Sequence, residues 1–69
     1  MMIEVFKTNV REVTQADKII ELLLAHFPGC KINFDIQDCD KVLRVEGNDF
    51  FPVKIISIVN ENGFDCAPL

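Results

Sequence analysis

The alternation of apolar and polar residues from Lys31 to Gln37 constrains the fold of this chain more than any other feature. Ile32, Phe34 and Ile36 alternate there with lysine, asparagine, aspartate and glutamine. Because successive side chains of a strand point to opposite faces, the pattern predicts a strand with one buried and one solvated face. Such a strand belongs to a sheet that is covered by apolar structure on one side only.

A second strand follows directly after this one. A polar break at residues 37–41 precedes residues 42–46, in which Leu43 and Val45 alternate with polar or charged neighbours and are the expected inward pair. Two alternating segments joined by a short polar stretch predict an antiparallel hairpin.

The ends of the chain predict two more strands. Residues 5–10 are rich in residues that favour strands, and every second side chain from Phe6 onward shares a face, although Ile3 and Val5 compete for the inward side. Residues 64–67 form a short last strand, and the proline that follows is expected to end its pairing.

The first helix is predicted between a start signal and a stop signal in the sequence. Thr14 followed by Asp17 is close to a capping box and places the helix start near Gln15, while Pro28 and Gly29 stop the helix. Its apolar residues recur at spacings of three and four, as expected for a helix with one face on a core. They are Ala16, Ile20, Leu23, Leu24 and Phe27.

The second helix follows turn and capping residues at 47–49. Pro52 suits the first helical turn, where its missing amide has no intrahelical partner. Asn62 and Gly63 supply a left-handed stop. The apolar stripe consists of Ile55, Ile56 and Val59.

The order strand, helix, strand, strand, helix, strand predicts an α+β fold. Two right-handed split crossovers place both helices on one face of a four-stranded antiparallel sheet, which is the ferredoxin-like βαββαβ sandwich. A chain of 69 residues, 49% of them hydrophobic, corresponds to one domain over residues 1–69 with a small core. The other sheet face is expected to carry polar residues and to lack the aromatic pairs that stack RNA bases.

Charge and cysteine content narrow the partners and the compartment. Seven basic and eleven acidic residues give a net charge of −4, which disfavours nucleic acid and anionic membranes as partners. The chain shows no secretory signal and no apolar run long enough to cross a bilayer. Three cysteines without paired spacing favour reduced thiols, so we expect a cytoplasmic protein.

Several segments together resemble the heavy-metal-associated domain of soluble copper chaperones and metal-pumping ATPases, across roughly residues 5–67. Ile20 and Leu24 correspond to apolar helix positions of that family, and Phe27–Cys30 resembles its Leu-Pro-Gly-Val. Asp35-Ile36 resembles its Asn/Asp-Leu, and residues 59–67 resemble its closing Ile-x-x-x-Gly-Phe/Tyr-x-Ala. The resemblance implies the same ferredoxin-like fold.

The family's metal motif is missing from this chain. Its Gly-Met-x-Cys-x-x-Cys falls on Val10–Ala16, so that Val13 and Ala16 occupy the positions of the two cysteine ligands. A soft Cu(I) ion needs soft donors, and neither side chain can coordinate a metal. The usual thiolate exchange is therefore not expected, although the fold can persist without it.

A relocated metal site is the alternative. The inferred topology brings Asp38, Cys39 and Asp40 to the same end of the sheet as the altered loop, where Glu12 or a second subunit could add a ligand for zinc or copper. The structural interpretation of this stretch is a solvated hairpin turn. His26 and Cys30 have a spacing used by zinc sites, but they lie at the opposite end of the fold.

The sequence offers no catalytic motif, which favours an interaction function over an enzyme. A phosphate-binding glycine loop and a nucleophile elbow are both absent, and there is one histidine. Arg11, Glu12 and Val13 suit a mixed apolar and ionic contact with a protein partner or a second copy in a homodimer. Alternatively, Val13 is a hydrophobic staple before a Thr14 cap.

Overall fold

A computed structural model describes all 69 residues and contains six regular elements in the expected order. The sheet order is β2-β3-β1-β4, and every neighbouring pair is antiparallel. This confirms an α+β fold with a ferredoxin-like arrangement. The elements are β1 (Met2–Thr8), α1 (Val13–His26), β2 (Lys31–Asp35), β3 (Val42–Gly47), α2 (Pro52–Glu61) and β4 (Cys66–Pro68).

The inward row of the sheet is set by one register across three strands. Leu43 lies opposite Phe6 on β1 and opposite Phe34 on β2. Phe6 is buried, whereas Ile3 is 47% exposed and lies opposite Glu46 on the outer face. The competition for the inward side of β1 is therefore resolved in favour of the Phe6 face.

A single cluster of thirteen buried residues forms the core between the sheet and the helices. It draws on β1, β2 and β3 on one side and on both helices on the other. The members are Phe6, Val10, Ala16, Ile19, Leu23, Cys30, Ile32, Leu43, Val45, Phe50, Ile55, Ile58 and Val59. Burial of these side chains is the main favourable contribution to folding.

The buried stripe of α1 lies to one side of the predicted stripe. Ala16 and Leu23 are buried as expected, but Ile19 completes the stripe, while Ile20 is partly exposed and Leu24 is exposed. The prediction was wrong here because adjacent apolar residues occupy more than one face of this helix. Spacing alone then cannot select the face that packs.

The start of α1 also differs from the prediction. The helix begins at Val13, and its N-cap is Glu12, which has extended backbone and makes no capping hydrogen bond with its side chain. The Ala16 amide donates to the Glu12 carbonyl at 3.0 Å. Thr14 thus lies inside the first turn, so the predicted threonine cap is wrong.

Helix α2 largely follows the prediction. Pro52 is its first residue, and Gly63 after its end has a φ of +90°, which confirms the left-handed stop. Ile55 and Val59 are buried as expected. Ile58, rather than the predicted Ile56, completes the buried stripe.

Strand β4 includes the proline that was expected to end it. Pro68 lies opposite Phe6 in the β1–β4 register, and the next amide, of Leu69, donates to the Val5 carbonyl at 3.0 Å. β4 is an edge strand, and an amide at Pro68 would face away from β1. The lack of this amide therefore breaks no hydrogen bond of the sheet.

Two adjacent phenylalanines before α2 provide a test of this packing. Phe50 is 3% exposed and belongs to the core, whereas Phe51 is 72% exposed. We expect Phe50→Ala to lower the free energy of unfolding by about 3–5 kcal/mol because it leaves a cavity. Phe51→Ala, the matched control, should change it by less than about 0.5 kcal/mol. Urea denaturation measures both, and equal losses would contradict the orientation of this segment.

Candidate functional site

Three segments meet at the end of the sheet where β1 finishes. The Thr8 amide donates to the Asp40 carbonyl at 3.0 Å, and the Thr8 hydroxyl donates to the Lys41 carbonyl at 2.6 Å. On the other side, the Asp65 amide donates to Asn9 Oδ1 at 2.8 Å. These contacts confirm that the hairpin turn and the loop after β1 lie at the same end of the sheet.

The hairpin turn at this end holds the three predicted metal ligands. Oxygen or sulfur atoms of Asp38, Cys39 and Asp40 lie within 4.8 Å of one another. One thiol and two carboxylates are thus close enough to share an ion. Glu12, the expected additional ligand, is not a member of this cluster.

The carboxylates in the turn also have a structural role. Asp38 Oδ1 accepts a hydrogen bond from the Asp40 amide at 2.9 Å, and Asp35 Oδ1 accepts one from the Asp38 amide at 3.3 Å. Such local bonds to the backbone are typical of aspartates in turns. The turn ends at Lys41, which has a φ of +46°. Of the two candidate ligand carboxylates, that of Asp38 is therefore partly used by the turn itself, with Asp35 supporting the turn from the end of β2.

The three cysteines are all free and lie in different environments. Cys39 is exposed, while Cys30 is buried against Gly47, where an added Cβ would lie 2.6 Å from the Cys30 Sγ. Burial, together with the negative charge of Asp49, raises the pKa of the Cys30 thiol. Burial also raises the pKa of Cys66, from 9.0 to about 11. Neither of these two thiols is activated as a nucleophile or ligand.

Thiol labelling tests these environments. With iodoacetamide near pH 8 we expect Cys39 to react first, because it is exposed, while Cys30 and Cys66 stay largely protonated and protected. The labelling rate of Cys66 should continue to rise with pH until about 11, since only the thiolate reacts. Peptide mass mapping over time measures each site. Faster labelling of Cys66 than of Cys39 would contradict this assignment.

The predicted contact residues Arg11, Glu12 and Val13 are all exposed. Val13 is 60% exposed and is the first residue of α1, so the alternative in which it serves as a staple before a Thr14 cap is wrong. It lines a groove between α1 and β2, together with Ile20 and Phe34.

This groove adjoins an open edge of the sheet. β2 is the terminal strand of the order, so one side of its backbone has no neighbouring strand. We call this region the β2 edge surface. It comprises strand β2 with Val13, Ile20 and Ile36 beside it.

A second exposed apolar region, which the sequence did not predict, lies at the start of α2. Phe51 and Val53, at the start of α2, are 72% and 78% exposed, and they line an open groove with His26, Phe27 and Lys54. In the sequence, the four residues from Phe50 to Val53 are all non-polar, and such a run is typical of a buried segment. Helical spacing offers one usable signal, because Val53 lies off the stripe that contains Ile55 and Val59.

Comparisons with models of protein families, with curated proteins and with solved structures gave no match. None of the helices of this chain combines the length and the apolar character needed to cross a membrane.

Proposed function

We propose that this protein is a small, non-catalytic interaction module that associates with a second copy of itself. The observation that carries the proposal is the β2 edge surface, where an open strand edge lies next to partly exposed apolar side chains. An unpaired edge of this kind offers backbone hydrogen bonds to another strand. Exposed apolar groups beside it gain free energy when a partner covers them.

The chemistry of the neighbouring loop fits the same role. Val13 contributes an apolar contact, and Arg11 and Glu12 lie beside it with exposed charges of opposite sign. An apolar centre with charged residues at its rim is the usual arrangement of a protein interface. In a domain of 69 residues, association also adds stability that a small core supplies only in part.

We further propose that the chain is a heavy-metal-associated-like domain with a degenerate metal loop. The βαββαβ order and the position of Val13 at the start of α1 are compatible with an ancestral ligand loop at that place. Replacement of a ligand cysteine by valine turns a metal-exposing position into an apolar contact. Three free cysteines agree with a reducing, cytoplasmic setting. The acidic charge balance supports protein rather than nucleic acid or membrane partners.

Native mass spectrometry of the reduced protein tests self-association. At tens of micromolar we expect a metal-free dimer. Val13→Asp should shift the population toward monomer, because it places a charge in the apolar contact while remaining compatible with a first helical turn. Val53→Asp, a similarly exposed position on α2, is the control and should leave the dimer intact. A monomeric wild-type protein would overturn the proposal, and equal losses in both variants would exclude a role for Val13.

The second candidate function is metal handling, through zinc or copper. It is favoured by the proximity of Asp38, Cys39 and Asp40. A thiolate and two carboxylates fit a zinc ion better than Cu(I), which prefers an all-sulfur set.

Metal titration separates this candidate from the first. If the turn is a metal site, reduced protein incubated with Zn(II) or Cu(I) should retain one ion per chain. Cys39→Ser should then abolish retention, and Cys66→Ser should not, because Cys66 lies outside the cluster. The same native spectra report the ion. Equal retention by wild type and Cys39→Ser would exclude the turn as the site.

A further inference from the structure

The open edge of β2 has a self-complementary sequence. When two copies of the strand pair antiparallel about Asn33, Lys31 of one copy lies opposite Asp35 of the other. Ile32 of one copy then lies opposite Phe34 of the other, and the two-fold axis repeats both pairs. Opposite charges and apolar side chains facing each other across strands both stabilise pairing.

The two faces of such a pair match the surroundings of β2. Lys31 and Asp35 are exposed on the outer face of the sheet, where an ion pair remains in contact with water. Ile32 and Phe34 belong to the inner face, and Phe34 is only partly buried in one copy. The pairing therefore places opposite charges next to each other on the outer face and increases the burial of Phe34 on the inner face.

The adjoining helix extends the apolar part of this contact. Val13 and Ile20 line the groove beside β2 and are seven residues apart, so they lie on one side of α1. Leu24 is exposed and lies one turn beyond Ile20 on that side. A second copy that pairs along β2 brings its own α1 next to this row.

The other edge of the sheet is poorly suited to pairing. β4 has three residues and includes Pro68, which lacks an amide hydrogen. β2 has five residues and no proline. Of the two edges, β2 is thus the one that can accept another strand along its length.

We infer that a second copy of this chain docks on the β2 edge surface by antiparallel pairing of β2 with β2, centred on Asn33. The result is a two-fold dimer with one continuous eight-stranded sheet. This inference rests on the proposed self-association and adds to it the interface, the register and the residue pairs.

A charge swap tests the register. Lys31→Glu and Asp35→Lys each place like charges opposite one another twice in the dimer. We expect each to raise the dimer dissociation constant about tenfold, measured by sedimentation equilibrium. The double variant restores opposite charges and should return to within about threefold of wild type.

The rescue distinguishes pairing between copies from damage within one copy. Lys31 lies opposite Glu46 within the chain, and Asp35 accepts the weak bond from the Asp38 amide. The double variant carries both of these intramolecular losses. Recovery of the dimer can therefore come only from complementarity between the two copies, and far-UV circular dichroism verifies that each variant is folded.

Disulfide trapping provides an independent measurement of the two-fold axis. In a Cys39→Ser background, Asn33→Cys places two thiols opposite each other across the axis, so mild oxidation should give a covalent dimer. Arg44→Cys is the matched control, because Arg44 is exposed and neighbours Asn33 but lies one strand further from the axis. Equal trapping in both variants would overturn the inference.

The possible results separate the two proposals. A wild-type protein that stays monomeric removes the proposed function and this inference together. If the wild-type protein is a dimer, but neither charge reversal weakens it and Asn33→Cys gives no covalent dimer, the β2 interface alone is overturned. Self-association then stands.

Discussion

The contact of Phe6 with the row of inward residues around Leu43 determines the arrangement of the whole sheet. Leu43 lies on β3 between β1 and β2, and its register with Phe6 and Phe34 fixes which face of each strand points to the helices. A shift of one residue in either pairing would move the inward side chains of the shifted strand to the solvent face. The β-strand period of two thus excludes every register that is shifted by one residue. The outer face then follows by alternation, with Arg44 and Glu46 forming its one ion pair, at 3.2 Å.

That same constraint explains why the proposed interaction surface lies at the edge of the sheet. The central strands β1 and β3 each lie between two other strands, and the helices cover their inner face. The cover that the helices provide ends at β2. Helix α1 packs on the core through Ala16, Ile19 and Leu23, and its adjacent side, which faces the edge of the sheet, is not covered. Val13 and Ile20 remain partly accessible for this reason. The proposed interaction surface therefore consists of the apolar side chains that the core leaves uncovered beside one strand edge, together with the start of α1.

The elements of the fold and most of the core could be predicted from the sequence. The alternation at residues 31–37 and 42–46 and the helix stop at Gly63 each have a direct physical cause. The prediction failed where two signals overlapped. In α1, apolar residues on more than one face hid the packed side, so Leu24 was placed inward and Ile19 was missed. The hairpin turn at residues 38–40 and the loop after β1 lie at the same end of the sheet, as the predicted topology required. The Phe51 and Val53 region was missed, because exposure of an apolar residue depends on where neighbouring elements pack.

The loop between Val10 and Ala16 depends on the core at both of its ends. Glu12 gives α1 an extended N-cap without a side-chain hydrogen bond, so the helix start depends on packing of Val10 and Ala16 in the core more than on local capping. Positions between these two anchors are then free to vary, and Arg11, Glu12 and Val13 are all exposed. A loop held at both ends by buried residues can change its exposed side chains at little cost in stability. Of these exposed residues, Val13 lines the groove beside β2, so a change at this position alters the apolar surface next to the open edge of the sheet.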